Sequence, residues 1–61
     1  MINLTLEKTG NIINIFGYDE YKTLIRKEYY YYSINYAIKD FKEFFGLKYQ
    51  RNVNIKKIIK K

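Results

Sequence analysis

The chain has no cysteine, histidine, proline or tryptophan, and only three glycines. Without cysteine no disulfide can staple the fold, and without cysteine or histidine the ordinary zinc sites are excluded. Histidine is also the side chain most used for proton transfer near neutral pH, so general acid–base catalysis is poorly provided for. Gly10, Gly17 and Gly46 are isolated from one another, so there is no glycine-rich loop to cradle a phosphate. The longest unbroken apolar or aromatic run, Tyr29 to Tyr32, is far short of a membrane span. The opening MINLTLEKTG lacks the basic and then apolar succession of a secretory signal. These absences, with the lack of cysteine, predict a soluble cytoplasmic protein.

The 61 residues make one small domain, 1–61. A chain of this size buries only about 60% of its unfolded surface, and its core supplies about 3–5 kcal/mol of net stability. Large side chains are the resource that remains: eight tyrosines, four phenylalanines and ten isoleucines. Ile, Lys, Asn, Tyr and Phe make up 38 of the 61 residues, which points to an A/T-rich genome and cautions against assigning a role to every Tyr or Lys. The net charge of +6 is unevenly placed. Residues 1–32 balance Lys8, Lys22, Arg26 and Lys27 against Glu7, Asp19, Glu20 and Glu28. After Glu43 there is no acid, and Lys48, Arg51, Lys56, Lys57, Lys60 and Lys61 form a basic C-terminal segment, 48–61. Such asymmetry predicts either an end that meets an anionic partner or a solvated tail that aids solubility.

Ile2, Leu4 and Leu6 alternate with Asn3, Thr5 and Glu7 as a half-buried strand requires. Thr9-Gly10-Asn11 is a turn signal, and Asn11 to Phe16 reads as a second strand completing a hairpin. Gly17 to Glu20 reads as another turn. The stretch from Tyr21 to Tyr32 fits a strand, favoured by its four consecutive tyrosines, although Tyr21, Leu24, Ile25, Tyr29 and Tyr32 would also share a helical stripe. As a strand it puts Tyr30 and Tyr32 on one face and Tyr29 and Tyr31 on the other. Ser33 is an N-cap before a helix of about 34–45, with Ile34, Ala37, Ile38, Phe41 and Phe44 or Phe45 at helical spacing. Gly46 supplies the C′ residue and Leu47 the C″ residue of a Schellman stop, within reach of Phe41. Asn52 to Lys61 fits a short strand, a short helix or a tail. The expected fold is α+β: a three-stranded antiparallel sheet packed on one helix, with a short C-terminal strand as one reading of the end.

Ser33 is explained by its cap, and the pairs Asp19/Glu20 and Asp40/Glu43 read as solvated carboxylates, so the sequence predicts a binding protein and not an enzyme. It calls for no cofactor, metal or small-molecule substrate. Nucleic acid or a nucleoprotein complex is the first expected partner, bound through Lys48, Arg51, Lys56, Lys57, Lys60 and Lys61. Exposed Tyr30 and Tyr32 are candidate partner-binding rings, able to stack unpaired bases. The alternative is a host protein, met by the tyrosine face or an open strand edge. An isoleucine-lysine end touching a membrane surface is a lesser option, and self-association is the other route by which so small a core gains stability.

The segment YYYYSINYAIKDFKEFFGLK resembles the strand-turn-helix of many small phage and mobile-element proteins, where an aromatic strand ends at Ser or Thr with Ala four residues on and Phe beyond. Here those positions are Ser33, Ala37 and Phe41. The element order is also similar to the arm-binding domains of phage and transposon integrases, which lay a sheet on DNA. The strand before the turn, Lys- and Arg-rich in that group, here carries Arg26, Lys27 and then the four tyrosines. The resemblance implies a mobile-element accessory protein. It also implies, as a second reading, an inhibitor of a host defence enzyme in the manner of anti-CRISPR proteins.

Overall fold

The computed structural model describes residues 2–50 and 52–60. Its elements are β1 (Ile2–Thr9), β2 (Ile12–Tyr18), β3 (Leu24–Tyr30), α1 (Ile34–Phe44) and β4 (Val53–Lys60). They form a four-stranded mixed sheet in the order β3-β2-β1-β4, with one helix, so the chain is α+β. β1, β2 and β3 are successively antiparallel, while β4 runs parallel to β1. The C-terminal strand is eight residues long, as long as β1. A parallel partner cannot be reached by a tight turn. α1 makes the required crossover, carrying the chain from the β3 edge to the opposite edge.

The hairpin between β1 and β2 closes through Gly10-Asn11, and Thr9 pairs with Ile12. Gly10 has φ +61, which suits the first central position of a two-residue hairpin turn. β2 runs two residues beyond the expected Phe16 because the next turn starts only at Asp19. The Asp19 Oδ1 atom accepts from the backbone N–H of Tyr21 and of Thr23, both at 2.9 Å, and Lys22 takes φ 64. That side-chain cap gathers residues 20–22 into the turn, closed by the Asp19 N–H to the Thr23 carbonyl at 3.1 Å, so β3 starts at Leu24 and not at Tyr21. Its other end is set by Tyr31, whose φ of 65 stops the strand.

Alternation along the strands gives the sheet two different faces. Ile2, Leu4, Leu6, Ile13, Ile15, Ile25 and Tyr29 are buried on one face, together with Ala37 and Phe41 of α1 and Leu47 beyond it. Val53 and Ile55 extend this core onto β4, half-buried. Gly17 lies between Leu4 and Ile25 on the same face, where a Cβ would sit 2.6 Å from the Asn3 carbonyl oxygen. Only glycine allows β1 and β2 to approach so closely there. Ser33 caps the helix by accepting from the Tyr36 N–H at 3.2 Å. At the other end Gly46, φ 69, donates to the Glu43 carbonyl and Leu47 donates to that of Lys42, the paired bonds of a Schellman motif. Phe45 turns inward at this end, while Phe44 stays exposed.

Candidate nucleic-acid interface

The face of the sheet opposite α1 is uncovered. The strand registers arrange its side chains in rows across the sheet. Arg26, Phe16, Thr5 and Lys56 form one row, from β3 to β4. Glu28, Asn14, Glu7 and Ile58 form the next, and Tyr30, Ile12, Thr9 and Lys60 the one after. Beyond the first row lie Leu24 and Tyr18, paired and both exposed. The first row therefore sets a cation at each edge of the sheet with a half-buried ring between them, across about 14 Å. Beside it, Glu7, Asn14, Phe16, Leu24 and Arg26 line a shallow depression of about 320 Å³.

The middle row is acidic, and its charges are partly answered. Lys60 Nζ lies 3.0 Å from Glu7 Oε2, and the Tyr30 hydroxyl donates to Glu28 Oε2 at 3.4 Å. Arg26 and Lys56 have no ion-pair partner among the described residues. Among the described residues, the cations of this face without an ion-pair partner therefore stand at the two ends of the Phe16 row.

The basic C-terminal segment is dispersed by the fold. Lys56 and Lys60 project onto the open face, and Lys57 projects to the other side of β4, next to Leu6. Lys48 follows the helix, 3.8 Å from Glu43 and 5.8 Å from the centre of the Tyr49 ring. Arg51 and Lys61 lie outside the described residues. Tyr30 is exposed on the open face. Tyr32 does not share that face, because the positive φ of Tyr31 breaks the alternation. Its ring instead packs 5.1 Å from Tyr29 and 5.6 Å from Tyr36 on the helix side. Arg26 and Phe16 escape a reading that follows charge runs and tyrosine runs. The signal for them is their place on the polar side of two alternating strands.

The fold corrects the reading of Asp40 as a solvated carboxylate. The Tyr29 hydroxyl donates to Asp40 Oδ2 at 2.8 Å, and Lys27 Nζ donates to the same oxygen at 3.1 Å. The Lys27 ammonium also sits 4.2 Å from the centre of the Phe44 ring. The hydrogen bonds from Tyr29 and then Lys27 hold the Asp40 carboxyl below its usual range. Burial of the Tyr29 ring, and then its bond to Asp40, raise that phenol well above its usual range. This cluster joins β3 to α1 and is accounted for as structure.

No protein-family model, curated protein or solved structure matches the chain. Among the described residues no group of His, Cys, Asp and Glu gathers as metal ligands would, and no helix is long and apolar enough to cross a membrane.

Proposed function

We propose that this chain is a non-catalytic binding protein that takes single-stranded nucleic acid across the open face of its sheet, as an accessory protein of a phage or mobile element. The observation that carries the reading is the row Arg26–Phe16–Thr5–Lys56, a ring flanked by two cations without ion-pair partners among the described residues, on an uncovered sheet. Arg26 and Lys56 contact phosphates, and Phe16 supplies a stacking surface for an unpaired base, with Tyr18 and Tyr30 exposed on either side. The adjoining depression is large enough for one base. There Glu7 accepts from an exocyclic amino group and Asn14 bonds either edge. The acidic row steers the backbone to the Phe16 side of the face. Of the basic C-terminal residues, this reading uses Lys56 directly and Lys60 as the counterion of Glu7.

Fluorescence anisotropy with labelled single- and double-stranded DNA and RNA tests the reading at low and near-physiological salt. Single strands are expected to bind more tightly than duplex, with affinity falling steeply as salt rises. Arg26→Ala and Lys56→Ala each weaken binding and lower the salt slope, Phe16→Leu weakens it at unchanged slope, and Lys57→Ala changes it least. Absence of binding at low salt defeats the proposal. The open β3 edge, with Leu24 and Tyr30 exposed along it, would then favour the second reading, a host protein as partner.

A further inference from the structure

The sheet has two free edges, and they differ in kind. β4 carries Lys56, Lys57 and Lys60 along its length, and lysine on an edge strand discourages pairing. β3 is instead bordered by large exposed apolar side chains: Leu24 (54% exposed) and Tyr30 (55%) on the open face, and Phe44 (65%) beside Lys27 on the helix side.

The outward backbone groups of β3 are fixed by the bonds at its ends. Asp19 N–H donates to the Thr23 carbonyl at 3.1 Å, and Tyr31 N–H to the Asn11 carbonyl at 2.9 Å. Hydrogen-bonded pairs alternate along an antiparallel ladder, so the odd-numbered residues of β3 turn their backbone groups toward β2. Leu24, Arg26, Glu28 and Tyr30 therefore present theirs to the empty side. A second copy of β3, antiparallel about a two-fold axis at Lys27, meets them in register. Arg26 then faces Glu28 of the second copy, Leu24 faces its Tyr30, and both pairs recur by symmetry.

This register pairs all seven residues of β3. Moving the axis to Arg26 sets arginine against arginine, and moving it to Glu28 sets glutamate against glutamate. Neither Arg26 nor Glu28 has an ion-pair partner within the chain among the described residues. The axis does bring Lys27 opposite its copy. Each of these cations is already answered within its own subunit by Asp40 at 3.1 Å and by the Phe44 ring.

We infer that the β3 edge is a homodimer interface, in which two copies join through Arg26–Glu28 pairs into one continuous eight-stranded sheet. The readout, mass in the absence of any ligand, is separate from the nucleic-acid reading, while the two share Arg26, so that phosphate and the Glu28 carboxylate of the second copy compete for its guanidinium.

Sedimentation equilibrium of the wild-type chain, over a concentration series reaching the millimolar range, is expected to show a reversible monomer–dimer equilibrium. Arg26→Glu and Glu28→Arg each place like charges opposite one another, and each is expected to weaken the dimer at least about tenfold. The double variant R26E/E28R rebuilds the pairs with the charges exchanged and is expected to recover the wild-type dimer constant. Glu28→Pro removes one outward N–H without touching the ladder to β2, and abolishes dimerisation while the circular dichroism spectrum shows a folded chain. A wild-type chain that is monomeric throughout overturns the inference. So does a double reversal no better than the single ones, or an unchanged mass for Glu28→Pro.

Discussion

The two edge strands are held to the same sheet by different means. β3 is fastened to the helix by side chains: Tyr29 is buried and hydrogen-bonded to Asp40, and Lys27 reaches the same carboxylate. β4 is fastened by its ladder to β1, with only the half-buried Val53 and Ile55 packed against the core and with Lys56, Lys57, Ile59 and Lys60 exposed beyond them. Specific polar and aromatic contacts fix one edge closely and leave Leu24, Tyr30 and Phe44 exposed beside it. Backbone pairing holds the other while charge keeps it solvated. A small sheet thus separates an edge suited to association from one that resists it.

The largest expected contrast is in the core beneath each edge. Tyr29→Ala removes a buried ring and its hydroxyl together, at a cost of about 3–5 kcal/mol, close to the whole stability of so short a chain. Ile55→Ala, under β4, is expected to cost about 1–2 kcal/mol. Urea denaturation measures both, and equal losses would break the comparison. Next in size is the conversion of one edge into the other. Replacing Lys56 and Lys57 with valine leaves β4 almost wholly apolar, and light scattering is expected to show aggregation that the wild type lacks.

The pH dependence sharpens the β3 side. Tyr29 binds its proton more tightly folded than unfolded, so its contribution is complete below about pH 10 and is lost as pH rises above that, toward its raised folded value. Urea denaturation across that range is expected to show Tyr29→Phe flattening the alkaline fall in stability. Asp40 acts in the other direction. Its contribution is present above about pH 4 and is lost as pH falls toward its lowered folded value, and Asp40→Asn flattens that acid limb. The smallest effect belongs to the β4 edge. Lys60→Ala breaks the 3.0 Å ion pair to Glu7, whose side chains are 57% and 30% exposed. The melting temperature is expected to change by an amount corresponding to less than about 1 kcal/mol, and less still at high salt.

The parts of the fold legible in the sequence are those written locally. The alternation of β1, the glycine of the first hairpin, the Ser33 cap and the Gly46-Leu47 stop each depend on neighbours a few residues away. The ends of β3 were less legible, because Lys22 and Tyr31 are non-glycine residues at positive φ, which composition gives no reason to expect. β4 could not be settled from its own residues, since Val53, Ile55, Ile58 and Ile59 suit a strand and a helix alike. Its conformation is decided by a partner at the other end of the chain. The candidate site shows the same division. Lysines are conspicuous as a run, yet pairing with β1 sends Lys56 and Lys57 to opposite sides. The row that joins Arg26 to Phe16 and Lys56 draws on three strands and exists only once their registers are set. Asp40 resembled any other solvent-facing helix carboxylate until β3 brought Tyr29 and Lys27 to it.

The parallel pairing of β1 with β4 also bears on the order of assembly. β1, β2, β3 and α1 can form from contacts close along the chain, whereas Ile2 finds Val53 only across all the elements that lie between them. Loop closure on that scale is the slow step of a small domain. Until it occurs β1 is itself an edge, with Ile2, Leu4 and Leu6 only partly covered. A nascent chain on the ribosome passes through that state before β4 emerges, and a chaperone that recognises unpaired strands would find its opening there.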